Sequence, residues 1–362
     1  MQTPTLYSTL LGLIALALAS ACTPREAQRT SGLDEPTQEL AVVGFYNLEN
    51  LFDVDDDPTK RGDDEWLPGS PKAWTPKRYV EKLSRLARVI NDMGGAESPG
   101  GPAVVGVCEV ENARVLEDLV RQPLLARSNY RVIHVESPDY RGIDNGLLYR
   151  ADQFEPTTTQ ALYVHLGYRD DSTRRTTRDV LAVKGKLLGD EVHVLVNHWP
   201  SRRGGQAKSA PRRAIAAHVA RGYVDSVLAV DPNADILLVG DFNDDPVSPS
   251  ITEVLKAATK KSEARATGLY NPMVSLYRQG EGSLGYRDSW NLFDQTIVSA
   301  GLAEAGDDWS LRNARVFRAS YLLNPAGRFK GYPLRTYVGD TFQGGYSDHL
   351  PAVAVLTRPK AG

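Results

Sequence analysis

Cysteine is nearly missing. The 362-residue chain has two, Cys22 and Cys108, which leaves no scaffold of intramolecular disulfides to hold it together. Cys108 closes the apolar stretch Ala103-Val104-Val105-Gly106-Val107 and reads as a small buried hydrophobe, not a reactive thiol. A surplus of positive charge is missing too. The 42 Lys and Arg against 45 Asp and Glu give a formal charge of −3, so the molecule is no polycation and any attraction to phosphate must be local. The six histidines show no His-Glu-x-x-His spacing of a zinc site. No repeat points to a solenoid, and the apolar run at 10–19 is too short to cross a bilayer.

That run suits the core of a signal peptide, which predicts export. It ends in Leu18-Ala19-Ser20-Ala21-Cys22, similar to a bacterial lipobox, although no Lys or Arg precedes the core and the leucine sits one place early. Lipidation of Cys22 would give a membrane-attached lipoprotein; cleavage by ordinary signal peptidase after Ala19-Ser20-Ala21 would give a periplasmic or secreted protein. Residues 1–21 are thus expected to be a signal peptide, 22–40 a polar tether, 41–357 one catalytic domain and 358–362 a short tail.

What is abundant is alternation. Apolar strands are expected at 41–46, 103–108, 130–135, 146–149, 180–183, 192–196, 236–239 and 352–356. Thr75-Pro76 opens a helix with Tyr79, Leu83, Leu86, Val89 and Ile90 at helical spacing, ended by Gly94-Gly95, and Pro211 opens another reaching about residue 227. This is an α/β chain. The acidic segment 53–65 resembles a calcium loop only superficially, because no glycine and closing glutamate fall at the required spacing, and it reads as a solvated loop.

Four strands end on residues able to hold a metal or a phosphate: Asn47, Glu109, His198, and Asp241 with Asn243. Ligand sites of α/β sheets lie at strand ends, so these can converge on one rim. Near the C-terminus Gly344-Gly345-Tyr346-Ser347-Asp348-His349-Leu350-Pro351 delivers an acid and a histidine side by side, and Asp294 stands among apolar neighbours, where a carboxylate needs a partner such as histidine. Carboxylates and amides without thiolates suit Mg²⁺ or Mn²⁺. Basic residues gather at Arg174, Arg175 and Arg178, and at Arg202, Arg203, Lys208, Arg212 and Arg213, where a phosphate grip competes with a solvated face.

Seven motifs then stand in one order: Tyr46-Asn47-Leu48-Glu49-Asn50, Cys108-Glu109-Val110-Glu111-Asn112, Arg141-Gly142-Ile143-Asp144, Asn197-His198-Trp199, Gly240-Asp241-Phe242-Asn243, Phe293-Asp294-Gln295 and Ser347-Asp348-His349-Leu350-Pro351. In them the chain resembles the endonuclease/exonuclease/phosphatase superfamily with its DNase I-like fold, in particular an exported bacterial branch. The resemblance implies a four-layer α/β/β/α sandwich of two mixed sheets. It implies Glu109 as principal metal ligand with Asn47 and Asp348 nearby, and Asp241 and Asn243 at the attacking water and the phosphate. It also implies His198 and His349 at the scissile phosphate, Asp294 orienting His349, and Arg141, Asp144 and Arg178 facing substrate. The expected activity is Mg²⁺-dependent phosphodiester hydrolysis, with DNA or RNA as substrate and no protein partner implied. The alternatives are a phospholipid head-group or small-phosphoester hydrolase and a catalytically silent binding module.

Overall fold

The computed structural model describes residues 38–167, 176–304, 306 and 308–360. The apolar run at 10–19, Cys22, Arg174 and Arg175 lie outside them. A first sheet contains β1 (Gln38–Leu51), β2 (Val104–Val110), β3 (Tyr130–His134), β4 (Asp144–Arg150), β14 (Ser310–Val316) and β17 (Ala352–Pro359), in the order β14-β17-β1-β2-β4-β3. A second contains β5 (Phe154–Leu162), β6 (Val180–Leu187), β7 (Asp190–His198), β8 (Asp235–Asp241), β9 (Ala257–Ala258), β10 (Leu269–Tyr270) and β13 (Asp294–Ser299), in the order β5-β6-β7-β8-β13-β10-β9. Both sheets are mixed, with β1 parallel to β2 and β7 parallel to β8. Two small hairpins, β11–β12 (Leu284–Tyr286, Ser289–Asn291) and β15–β16 (Tyr337–Val338, Thr341–Phe342), complete the strands among the described residues.

Period-two patterning sorts the side chains into layers. Ala41, Val43 and Phe45 of β1 join Val194, Val196, Leu237 and Val239 in a core between the sheets. Val42, Val105, Val107 and Val355 face the opposite way, against Leu83, Leu86 and Ile90 of α1 (Pro76–Met93) and Leu116 and Leu119 of α2 (Ala113–Val120), which α3 (Pro123–Ala126) follows. On the far side of the second sheet, Leu195, Ile236 and Leu238 pack on Ala216, Ala217, Ala220 and Val224 of α4 (Gln206–Leu228). Helix, sheet, sheet, helix is the four-layer sandwich expected.

The first helix starts and stops where the sequence indicates, with the Thr75 side chain capping the Arg78 amide and Gly94 following Met93. The second does not. It begins at Gln206, and Pro211 lies inside it with one backbone hydrogen bond forgone, because packing of the alanine face outweighs that loss. The acidic segment also departs from a solvated loop: Asp53, Asp63 and Trp66 are buried, since the Asp53 amide donates to Glu111 and the Trp66 ring stacks on Phe52.

The sheets approach closely at Gly106 on β2, where an added Cβ would stand 2.7 Å from a Val239 methyl and 3.2 Å from both Val196 methyls. Those β-branched neighbours have little rotamer freedom with which to yield. Gly106→Ala is therefore expected to lose about 1–3 kcal/mol of stability from overpacking. Urea unfolding of the variant beside the parent checks this; equal stability would show that the sheets can move apart.

Candidate active site

The strand ends meet on one rim because register puts them there. His198 of β7 pairs with Asp241 of β8, and Asp241 pairs with Asp294 of β13, so three of the expected site residues stand in a row across the second sheet. Gly240 permits the close approach of these strands, because a Cβ there would overlap the Asn197 carbonyl. In the first sheet β1 and β2 break register after Asn47 and Cys108, and Glu49, Asn50 and Glu109 take left-handed backbone conformations. That irregularity turns the Glu109 carboxylate so that its Oε2 accepts from the Asn50 amide.

Asp241 is the hub. Its Oδ2 accepts from Asn47 Nδ2 at 3.2 Å and lies 3.7 Å from His198 Nε2 and 3.9 Å from His349 Nε2. Its Oδ1 accepts from the Asn243 amide at 2.9 Å. Asn243 is left-handed, a conformation its short amide tolerates, and its Nδ2 donates to the Trp199 carbonyl at 2.9 Å. Glu109 Oε1 stands 3.8 Å from His198 Nε2 and 3.9 Å from Arg141. The Ser347 hydroxyl donates to the Asn47 carbonyl at 2.7 Å, tying the final motif to β1.

The pKa values of the two histidines are pushed in opposite directions. Burial alone would neutralise His349, but its Nδ1–H donates to Asp294 Oδ2 at 2.7 Å, and that carboxylate with Asp241 raises its pKa well above the usual histidine value. Burial also acts on His198, and there the nearby Arg178 and Arg141 reinforce it, so its pKa falls well below that value. Burial raises the Asp241 pKa, an effect His349 partly offsets.

Several residues hold this rim without standing out in the sequence. Lys82 of α1 is fully buried, donates to the Glu49 carbonyl at 3.0 Å and to Thr336 Oγ1 at 2.5 Å, and has its pKa lowered to about 8 by burial. The Glu49 carboxylate accepts from the Thr336 amide and from Arg335, whose Nη2 reaches Asp348 at 2.9 Å. The available signal was a lysine on the apolar stripe of a helix, three residues after Tyr79.

Three expected substrate contacts, Asp144, Arg178 and Arg202, sit differently, as does Arg213 of the basic stretch. Asp144 is 1% exposed, and its carboxylate accepts from Ser137 and pairs with His134, so it anchors a turn and does not face substrate. Arg202 lies against Asp244 and Asp245, 3.0 Å from each, and stacks over Phe293; its charge is already matched, and it clamps the loop carrying Asn243. Arg213 is buried on Asp244 at 2.7 Å, so folding brings acids to a basic stretch that has none in sequence. Arg178 is tied to Asp139 and the Trp199 carbonyl. Arg141 and Arg203 remain partly open, the latter 3.4 Å from the Tyr140 hydroxyl.

A family model described as "Endonuclease/Exonuclease/phosphatase family" matches residues 42–358. The chain belongs to the endonuclease/exonuclease/phosphatase family. Members of this family are hydrolases of phosphoester bonds and typically use divalent metal ions. Among solved structures the fold is similar to that of truncated TDP2 from Caenorhabditis elegans, at 13% identity and TM-score 0.51, over 88% of this chain and 97% of that one. It is similar to a mannosyl-6-phosphatase of Bacteroides thetaiotaomicron, at 16% identity and TM-score 0.52, over 87% and 99%. A further endonuclease/exonuclease/phosphatase family protein of that bacterium aligns at 15% identity and TM-score 0.52, over 89% and 96%. No curated protein sequence matches the chain. At these identities the likeness establishes the DNase I-like fold.

The donor set fits a hard divalent ion. Glu109 offers a carboxylate oxygen with neutral Asn47 close behind, and Asp348 is already paired with Arg335. One or two carboxylates completed by water and phosphate oxygens is the habit of Mg²⁺. If His349 works as the charged acid, activity persists below its pKa and is lost as pH rises through it. Asp294→Asn removes the main group holding that charge, so the alkaline limb of kcat/KM should move to lower pH and the rate at pH 8 should fall about 10²–10⁴-fold. The Mg²⁺ activation constant should stay put; a large change in it would place Asp294 at the metal instead.

Proposed function

We propose that this family member is a Mg²⁺-dependent phosphodiesterase that cuts nucleic acid, DNA or RNA, outside the cytoplasm. The observation that carries the substrate reading is a pair of cavities flanking the rim. One, of about 420 Å³, is lined by Tyr140, Arg141, Arg178, Arg203 and Arg212. The other, of about 750 Å³, is lined by Arg203, Asn243, Tyr286, Arg287 and Phe293. Arg203 borders both. Tyr140 and Tyr286 are 65% and 57% exposed, so each cavity pairs guanidinium groups with an open aromatic ring, the combination that grips a phosphate backbone and stacks bases. A sugar phosphate would fill one such cavity; a polymer crossing the scissile phosphate uses both. The apolar run at 10–19 supports export.

In this reading Glu109, with Asn47 and Asp348 nearby, holds the metal ion, which when bound offsets charge on the phosphoryl oxygens. Asn243 helps orient the attacking water, and the Asp241 carboxylate takes its proton as the new P–O bond forms and the bond to the leaving oxygen breaks. His349, kept protonated by Asp294, gives its Nε2 proton to the departing oxygen. His198, kept neutral, donates a ring N–H to the phosphate without adding charge.

Incubation of the protein with supercoiled plasmid and with RNA should give cleavage of at least one in Mg²⁺ and none in EDTA. Tyr286→Ala and Arg203→Ala should each raise KM for an oligonucleotide about tenfold, the worth of one stacked base or phosphate contact, while sparing a small chromogenic phosphodiester. Turnover of sugar phosphates or sphingomyelin with no action on nucleic acid would overturn the assignment.

A further inference from the structure

The acidic segment after β1 holds a group of carboxylates that the catalytic rim does not use. Asp56, Asp63 and Asp64 each present an oxygen within 4.8 Å of the others. Neighbouring acids are spoken for: Asp53 accepts from the Asp55 amide and from Asn112, Asp55 pairs with Arg114 at 2.7 Å, and Asp57 accepts from Thr59. Asp56, Asp63 and Asp64 take part in no ion pair among the described residues, and the loop's Lys60 is committed to Glu136.

Asp63 decides the matter. It is 2% exposed, its Oδ2 accepts from the Asp57 amide at 2.7 Å, and its Oδ1 is buried with no partner. A buried carboxylate oxygen without a donor is costly, and the charges of Asp56 and Asp64 facing it add repulsion. Among the described residues only backbone amides answer this charge, and no Lys or Arg pairs with it. A cation would relieve the remainder.

We infer that Asp56, Asp63 and Asp64 form a calcium site separate from the catalytic metal centre. All donors are anionic oxygens, which excludes the nitrogen and sulfur preference of zinc. Oxygens within 4.8 Å of one another fit around an ion with bonds of about 2.3–2.6 Å, and a loop that completes its shell with carbonyls and water suits the variable coordination of Ca²⁺ better than the strict octahedron of Mg²⁺. The spacing departs from an EF-hand because the acids gather from two arms of a loop closed by the Asp57–Asp63 bond, not from one run. Its place gives it a purpose. Trp66, two residues after Asp64, stacks on Phe52 at the end of β1, and the Asp53 amide is held by Glu111, two residues after Glu109. An ion here stiffens the base of both strands that carry the catalytic carboxylate and amide.

Terbium luminescence tests this in the full chain, with Trp66 as the sensitiser beside the ion. Glu109→Gln serves as background to silence the catalytic centre. Expected is saturable Tb³⁺ emission on tryptophan excitation, displaced by Ca²⁺ at lower concentration than by Mg²⁺, and weakened at least about tenfold by either Asp56→Asn or Asp64→Asn. Both side chains are exposed, so both variants should fold. Ca²⁺ should also raise Tm in the background protein and leave the Asp64→Asn double variant unmoved. Emission absent in Glu109→Gln, or indifferent to Asp56→Asn and Asp64→Asn, would overturn the site; preferential displacement by Mg²⁺ would overturn the choice of calcium.

Discussion

A carboxylate taken out of water is among the most expensive things a protein can contain unless it finds partners, and Asp241 is buried at the middle of this rim. Much of the rim can be understood as the company it keeps. Asn47 reaches it from the first sheet, the Asn243 amide from its own turn, and His198 and His349 flank it. Apart from the Asn243 amide, the partners come from distant parts of the chain, so the sandwich must close before the charge is compensated. Chemistry and tertiary structure are therefore coupled at a single side chain.

The same coupling explains how two identical imidazoles take different states a few ångströms from one carboxylate. Both are buried, and burial disfavours the charged ring in both. What differs is the ring's other side. His349 turns Nδ1 to Asp294, whereas His198 Nδ1 is buried without a partner and two guanidinium groups lie near. One residue type thus takes two opposite shifts by choosing neighbours.

How much of this could be read from the sequence depends on whether a residue's partner is local. The strand-end residues were legible because an apolar run that stops on Asn, Glu, His or Asp announces its geometry, and Asp294 because an acid among Leu292, Phe293 and Ile297 demands a partner. Helix α1 was legible from cap to stop. Arg202 and Arg213 were misleading, since the acids that neutralise them lie some forty and thirty residues further along, in a turn that looked catalytic throughout. Asp144 sat in a motif and looked functional, yet its partners His134 and Ser137 were invisible until β3 and β4 paired. Lys82, Glu49 and Arg335 form a chain of ion pairs, buried at Lys82 and Glu49, that spans most of the sequence, and no pattern within a window reports such a chain.

The row formed by His198, Asp241 and Asp294 has one more implication. Side chains alternate along a strand, so slipping β8 by one residue would send Asp241 to the wrong face and, in the same movement, turn Val239 and Leu237 out of the inter-sheet core. Hydrophobic burial and the alignment of this row are read from the same register. A molecule misassembled at this sheet therefore loses stability together with the row, and the stable population is sorted for its rim geometry by the act of folding.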